Sequence, residues 1–286
     1  MKLGAIMAVA ALPEERWEKE FEFFSENKFE YTELMCDYPR FAPQLVGSAQ
    51  IKKIKELSES YDIGLIMHAP FTHVNLSDDV QQFVDFGAKE LLASIKLAEK
   101  LEIDRMTVHG PYQSFDVDAI LPRFLKNFLP ILNEAKKADV IMCFENMPVD
   151  CPQLPQKIEH YIFAAKKLLE AGEANKIYLT DTLKMTFDIG HANTVCEPIK
   201  YYQAVVDALG KDFVQDMHIH DNNGKYDDHN AIGEGNIDFN GFLKLLRRLN
   251  YKEYFTLELD VLGKSFEHRL DGIKKIRKIL KNISTE

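Results

Sequence analysis

The chain has 286 residues, with 45 acidic side chains against 35 basic ones, and therefore a formal net charge of −10. Its apolar content of 46% and charged content of 28% are those of a folded globular chain and not of a disordered one. The acidic surplus argues against a broad electrostatic grip on nucleic acid, and the length suits either two small domains or one eight-unit barrel.

Short apolar runs, often β-branched, alternate along the chain with longer stretches that have the 3.6-residue periodicity of helices. The predicted strands lie near residues 3–9, 31–35, 63–67, 105–109, 140–144, 184–188, 213–219 and 254–259. The predicted helices lie near residues 14–26, 48–60, 79–101, 118–137, 156–171, 199–208, 239–249 and 266–281. Eight strands that alternate with eight helices are typical of a (β/α)8 TIM barrel.

The main rival to this fold is a doubly wound open sheet. No GxGxxG follows the first predicted strand, which argues against the dinucleotide-binding version of that sheet. The sequence therefore predicts an α/β protein with a single (β/α)8 TIM barrel domain over residues 1–286.

The cysteines and the hydropathy pattern indicate a cytoplasmic protein. Cys36, Cys143, Cys151 and Cys196 form no CxxC motif, so neither a zinc knuckle nor a disulfide framework is indicated. The sequence contains no run of 18 apolar residues, and an acidic amphipathic segment directly follows the apolar stretch at 3–12. We therefore expect a cytoplasmic location, without a membrane partner.

Six successive predicted strands end in a residue that can bind a metal ion. These residues are His68, His109, Glu145, Asp188, His218 and Glu258. His191 follows Asp188 by three residues, and the loop after the seventh strand adds Asp227 and His229. The carboxyl ends of parallel barrel strands open on one rim, where the active sites of such barrels lie. We therefore expect these nine side chains to converge.

A single histidine at a strand end is more often structural, so the prediction depends on the recurrence of such residues at six ends. Several carboxylates that converge in a dry pocket repel one another, and a divalent cation removes that conflict. Imidazole and carboxylate ligands without thiolate suit Zn²⁺, Mn²⁺ or Co²⁺ better than Mg²⁺. The sequence therefore predicts a divalent-metal site, with Zn²⁺ or Mn²⁺ as its ion. His220 and Asp221 are candidates for orienting its ligands.

The motifs at these strand ends resemble those of the xylose isomerase-like barrels. This superfamily joins sugar isomerases and epimerases to the endonuclease IV class of abasic-site nucleases, AP endonuclease family 2. The resemblance covers roughly residues 60–260. It is carried by HAP at 68–70, HGP at 109–111, FEN at 144–146, DIGH at 188–191, HIHDNNG at 218–224 and DDHNAIGEGNIDF at 227–239.

Resemblance to the epimerase branch implies one ion, held by Glu145, Asp188, His218 and Glu258. Glu145 and Glu258 would then be the catalytic acid and base on either side of the substrate. The implied reaction is the isomerisation or epimerisation of a small sugar, sugar phosphate or polyol through a metal-chelated enediolate. One position departs from the pattern, because Gly224 stands where many ketose 3-epimerases carry an arginine.

Resemblance to the nuclease branch implies up to three zinc ions and hydrolysis of DNA at abasic sites. The implied ligand sets are His68, His109 and Glu145; Glu145, Asp188, His218 and Glu258; and His191, Asp227 and His229. Arg40 and Phe71 would be candidates for holding the DNA. The chain departs from these nucleases in its DIGH turn, in the MPV sequence after Glu145–Asn146, and in a shorter segment between His218 and Asp227.

We therefore predict a metal-dependent isomerase or epimerase that acts on a small sugar-like molecule. The alternative is a zinc-dependent phosphodiesterase with nucleic acid as its partner. A third hypothesis is a metabolite-binding barrel with a structural metal. Pairing into a homodimer is compatible with a barrel of this kind.

Overall fold

A computed structural model of the protein describes residues 1–113, 117–259 and 266–285. Its eight strands are parallel and close into a barrel in chain order, with the first strand paired to the last. The strands are Lys2–Met7 (β1), Tyr31–Met35 (β2), Gly64–His68 (β3), Arg105–Val108 (β4), Ile141–Glu145 (β5), Leu183–Asp188 (β6), Val214–Ile219 (β7) and Tyr254–Leu257 (β8). The predicted (β/α)8 barrel is confirmed, and each strand lies within two residues of its predicted bounds.

Within the described ranges, nine α-helices connect or follow the strands. They are Trp17–Glu26 (α1), Ser48–Tyr61 (α2), Gln81–Leu101 (α3), Val117–Lys137 (α4), Ile158–Ala174 (α5), Ile189–Val195 (α6), Pro198–Leu209 (α7), Phe239–Arg248 (α8) and Phe266–Thr285 (α9). The sequence prediction missed α6, because seven residues are too few to show a helical period. None of the described helices combines the length and apolar character that crossing a membrane requires.

The helices pack on the outside of the barrel through apolar faces. In α8, Phe242, Leu243 and Leu246 are buried, while Arg247 and Arg248 lie in the last turn, where cations interact favourably with the helix dipole. The apolar core therefore lies between the sheet and the surrounding helices.

The interior of the barrel is polar towards the carboxyl ends of the strands and is closed at the amino end. At that end, the Arg105 guanidinium lies 4.0 Å from the centre of the Tyr254 ring, and Tyr31 Oη is 2.7 Å from Thr256 Oγ1. Above this layer lie the buried side chains of Glu33 and Asp216. Polar residues replace the branched apolar side chains that usually fill such a barrel.

The loop between β7 and α8 is held by one buried carboxylate. Asp221 Oδ2 accepts hydrogen bonds from the backbone N–H groups of Gly233 and Gly235, at 2.8 and 2.9 Å, and its Oδ1 accepts one from Asn222. Gly233 has a φ of +85°, which favours glycine. The candidate role of Asp221 in orienting metal ligands is therefore wrong, because its hydrogen bonds go to the loop backbone.

Asp221→Ala should destabilise the protein by about 2–4 kcal/mol, because buried N–H groups of the loop would lose their acceptor. Urea unfolding measures this difference. The control is Asp228→Ala in the same loop, whose side chain is exposed, and which should stay within about 0.5 kcal/mol of the natural protein. Equal stability of the two variants would contradict the assigned role of Asp221.

Candidate metal centre

The structure brings all nine predicted side chains together at the carboxyl end of the barrel. They form three groups, and within each group the donor atoms lie within 4.8 Å of one another. We name them the His68 group (His68, His109 and Glu145), the Asp188 group (Glu145, Asp188, His218 and Glu258) and the Asp227 group (His191, Asp227 and His229). His220 also lies within this distance of the Asp227 group. The grouping matches the ligand sets that the sequence resemblance implies.

In the His68 group, two imidazoles point at one carboxylate oxygen. Glu145 Oε2 lies 2.9 Å from His109 Nε2 and 3.6 Å from His68 Nε2. The other ring nitrogens are already engaged, since His68 Nδ1 donates to the Ala69 carbonyl and His109 Nδ1 donates to Gln153 Oε1, both at 2.9 Å. With the proton on Nδ1, each Nε2 keeps a lone pair for a metal ion.

The Asp227 group repeats this arrangement. Asp227 Oδ2 lies 3.2 Å from His191 Nε2 and 3.0 Å from His229 Nε2. His191 Nδ1 is 2.8 Å from the Asn146 carbonyl, and His229 Nδ1 is 2.9 Å from the Glu258 carbonyl. Backbone carbonyls thus fix both rings with Nε2 directed at the carboxylate.

The Asp188 group has its histidine in the reverse orientation. His218 Nδ1 faces the group, at 2.7 Å from Glu258 Oε2 and 3.0 Å from Glu145 Oε1. Asp188 Oδ2 lies 3.9 Å from the same nitrogen. Glu145 therefore belongs to two groups, to the His68 group through Oε2 and to the Asp188 group through Oε1, and would offer one donor atom to each.

His220 contacts the ligand groups without completing one. Its ring stacks on that of His229, with centroids 4.0 Å apart and planes 7° apart, and its Nε2 lies 3.1 Å from Asp188 Oδ1. Two parallel stacked rings cannot both direct in-plane lone pairs at the same ion. We therefore interpret His220 as the residue that orients Asp188. A Cβ at Gly190 would lie only 1.9 Å from His220 Cε1, so the glycine of DIGH leaves room for this ring.

Buried carboxylate oxygens that face ring nitrogens without a well-formed hydrogen bond indicate that the groups fit metal ions. Glu145 Oε2 lies 2.9 Å from His109 Nε2, Glu258 Oε2 lies 2.7 Å from His218 Nδ1 and Asp227 Oδ1 lies 3.5 Å from His220 Nε2, and the geometry of these contacts is not that of a hydrogen bond. A buried carboxylate oxygen without a hydrogen bond is costly. The donor set of imidazole nitrogens and carboxylate oxygens suits Zn²⁺ or Mn²⁺, and such an ion would satisfy these atoms.

Burial and charge set the protonation of the metal-free groups. Burial alone would lower the pKa of His229, but its hydrogen bond to Asp227 and the nearby charge of Glu258 raise this pKa to about 9. Burial would raise the pKa of Asp227, but His191 and His229 hold it well below its ordinary value. In the Asp227 group, nearby carboxylates raise the pKa values of both His191 and His229, so protons on these two rings balance the carboxylates where cations would otherwise do so.

Two further acidic side chains lie below the ligand groups. Glu33 Oε2 is 3.0 Å from His218 Nε2, and Asp216 Oδ2 is 3.9 Å from that nitrogen. Burial, followed by the charge of Glu33, raises the pKa of Asp216 to about 8. The sequence prediction was based on residues at strand ends. It therefore missed Glu33 and Asp216, which lie inside strands β2 and β7. The sequence gives only a weak signal that they face the interior, because on each strand just one adjacent residue, Leu34 or Met217, is apolar.

A cavity of about 410 Å³ lies above the groups. Phe71 forms part of its wall and stacks on His109 with ring centroids 4.8 Å apart. The buried carboxylate of Asp37 accepts a hydrogen bond from the Phe71 N–H at 3.3 Å and so holds this wall. Arg40 is exposed and does not line the cavity. Of the two candidates for holding DNA, only Phe71 thus reaches the site.

Comparison with known proteins places this chain in a family. A family model described as xylose isomerase-like TIM barrel matches residues 21–283. An uncharacterised protein of Methanocaldococcus jannaschii is 29% identical over 260 residues, which cover 88% of this chain and 90% of that protein.

Two solved structures share the fold over nearly their whole length. A D-tagatose 3-epimerase-like protein has a TM-score of 0.83 and 24% identity, covering 100% of this chain and 99% of its own. Endonuclease IV from Thermus thermophilus has a TM-score of 0.73 and 16% identity, covering 99% of this chain and 100% of its own.

Zn²⁺ binding to the metal-free protein should release protons, and the apparent affinity should rise from pH 7 towards pH 9, because the ion displaces the proton of His229, whose pKa is about 9. Calorimetry in two buffers of different ionisation enthalpy measures the release. His160→Gln, a change at an exposed position outside the groups, should leave it unchanged. Binding without proton release would contradict the protonation described.

The metal-free protein should lose stability as the pH rises. The raised pKa of His229 contributes stability that is fully present below about pH 6.5 and is lost as the pH rises through about 9. Thermal unfolding of the chelator-treated protein from pH 6 to pH 10 measures the loss. Saturating Zn²⁺ should reduce it, and an unchanged melting temperature in chelator would exclude this contribution.

Proposed function

The chain belongs to the xylose isomerase-like TIM barrel family, and we propose that it is a metal-dependent isomerase or epimerase of a small sugar, sugar phosphate or polyol. One observation carries the proposal. Of the four residues in the Asp188 group, Glu145 and Glu258 line the cavity, while Asp188 and His218 lie fully buried beneath it. The carboxylates of Glu145 and Glu258 can therefore contact a substrate, whereas Asp188 and His218 support them from below and cannot contact it.

The two glutamates are placed for proton transfer between neighbouring carbons. They come from β5 and from the end of β8, and so approach the cavity from different parts of the barrel wall. The Asp188 group would hold a divalent ion, whose charge would stabilise the negative charge that develops on the oxygens of the open-chain substrate. One glutamate would remove the proton from a carbon, and the other would return a proton to the product.

The cavity supports a small substrate. Its volume of about 410 Å³ lies in the range of small-molecule sites. Met35, Phe71 and Met147 give it an apolar wall, and among the described residues that line it there is no lysine or arginine. A phosphate-bearing polymer would therefore find no lysine or arginine on the described part of this wall.

The Asp227 group supports a second candidate function, zinc-dependent phosphoester hydrolysis. A one-ion isomerase needs only the Asp188 group, but His191, Asp227 and His229 form a further donor set beside it. Two or three ions in such proximity can support the attacking and leaving oxygens of a phosphoester. Abasic-site DNA is the substrate to test first, because of the implied relation to endonuclease IV.

Glu258→Gln should abolish isomerisation, with at least about a 100-fold loss of turnover, because an amide neither takes up nor returns a proton. Deuterium incorporation from D₂O into a panel of ketoses, aldoses and their phosphates measures the reaction in metal-loaded protein. Asp228→Asn, at the exposed loop position, is the control that should keep full activity. The proposal is wrong if the natural protein exchanges deuterium into no member of the panel.

Asp227→Asn should distinguish the two candidate functions. In an isomerase the Asp188 group keeps its ion, so turnover should fall by less than about tenfold, well short of the loss that removing a proton-transfer group causes. In a hydrolase that uses the Asp227 group, incision of an abasic-site duplex with Zn²⁺ should be lost. Incision by the natural protein, absent in this variant, would favour the hydrolase.

A further inference from the structure

We propose that Glu33 is a positioning residue that sets which nitrogen of His218 faces the metal site. The inference rests on the proposed metal site but not on the identity of the substrate. Glu33 lies on β2, inside the barrel and below the Asp188 group, and both Glu33 and His218 are fully buried. Glu33 Oε2 lies 3.0 Å from His218 Nε2.

The argument starts from the two nitrogens of a neutral imidazole, of which one carries a proton and the other a lone pair. In the other four histidines of the ligand groups, Nδ1 donates to a backbone carbonyl or to the Gln153 amide oxygen, as His191 does to the Asn146 carbonyl, and Nε2 faces the site. His218 is reversed, because its Nδ1 faces Glu145 and Glu258. Its Nε2 therefore needs an acceptor deep in the barrel, and Glu33 provides it.

The contacts of Glu33 support this role. Among the described residues, Glu33 Oε1 has no hydrogen-bond partner, so the contact with His218 is the hydrogen bond that the structure gives this carboxylate. A buried carboxylate with so few hydrogen bonds contributes little to folding stability. Its position is explained by its effect on His218, since a carboxylate on the far nitrogen of a metal-bound imidazole fixes the tautomer and makes the ligand more basic.

Asp216 provides a matched comparison within the same layer of the barrel. Its Oδ1 accepts hydrogen bonds from the Met217 N–H at 2.8 Å and from Thr256 Oγ1 at 3.1 Å. Its Oδ2 lies 3.9 Å from His218 Nε2, beyond hydrogen-bond distance. Asp216 is thus held by β7 and β8, whereas Glu33 bonds to the histidine.

The test compares Glu33→Gln, Glu33→Leu and Asp216→Asn with the natural protein. Competition with a chromophoric chelator measures Zn²⁺ affinity and stoichiometry, and the absorption spectrum of the Co²⁺ form reports the ligand field. We expect affinity for one ion per chain to fall about 10–100-fold in Glu33→Gln, and further in Glu33→Leu, which offers no acceptor. Asp216→Asn should stay within about threefold of the natural affinity, with an unchanged Co²⁺ spectrum.

Thermal unfolding of the metal-free variants, compared with their Zn²⁺ affinity, separates positioning from a purely structural role. Metal-free Glu33→Gln should melt below the natural protein in either case, because the buried His218 ring loses its carboxylate partner, but only a positioning role also lowers the Zn²⁺ affinity. A lower melting temperature together with unchanged Zn²⁺ affinity would assign Glu33 a structural role and overturn the inference. If Glu33→Leu fails to fold, Glu33→Gln decides the outcome.

The possible failures can be told apart. If the natural protein binds divalent ions and both Glu33 variants bind them equally well, this inference is wrong and the proposed function stands. If the natural protein binds no divalent ion, the proposed function and this inference are both wrong.

Discussion

Glu145 stands at the point where two ligand groups meet, and the geometry of the site depends on its two oxygens. Oε1 lies 3.0 Å from His218 and Oε2 lies 2.9 Å from His109. The side chain is 1% exposed, so water does not screen these contacts. A carboxylate in this position needs positive charge on both sides, either protons on the histidines or metal ions between the rings and the carboxylate.

For three of the histidines, the backbone at the strand ends decides which nitrogen meets that charge. The carbonyls of Ala69, Asn146 and Glu258 accept hydrogen bonds from His68, His191 and His229 respectively. These carbonyls lie at or directly after the ends of β3, β5 and β8, where closure of the barrel fixes them. The fold therefore imposes the tautomer of these rings, and the site is organised before any ion binds.

The sequence predicted those parts of the site that depend on local position along a strand. His68, Glu145 and Asp188 are the last residues of β3, β5 and β6, so finding each strand was enough to place them on the common rim. Glu33 and Asp216 escaped prediction because only closure of the barrel brings them below the same histidine. Short helix α6 and the hydrogen bonds of Asp221 to the loop backbone depend equally on contacts distant in sequence. The assignment of the nine residues as metal ligands stays a prediction.

The Asp227 group is compatible with the proposed isomerase as well as with a hydrolase, because it also supports the two glutamates. His191 bonds to the carbonyl of Asn146, the neighbour of Glu145, and His229 bonds to the carbonyl of Glu258 itself. Asp227 then ties these two histidines to each other. Ordering the backbone beside both glutamates lowers the conformational freedom of the groups that transfer the proton. A three-residue donor set can therefore serve catalysis in a one-ion enzyme, and the chemistry at Glu145 and Glu258 decides between the two functions.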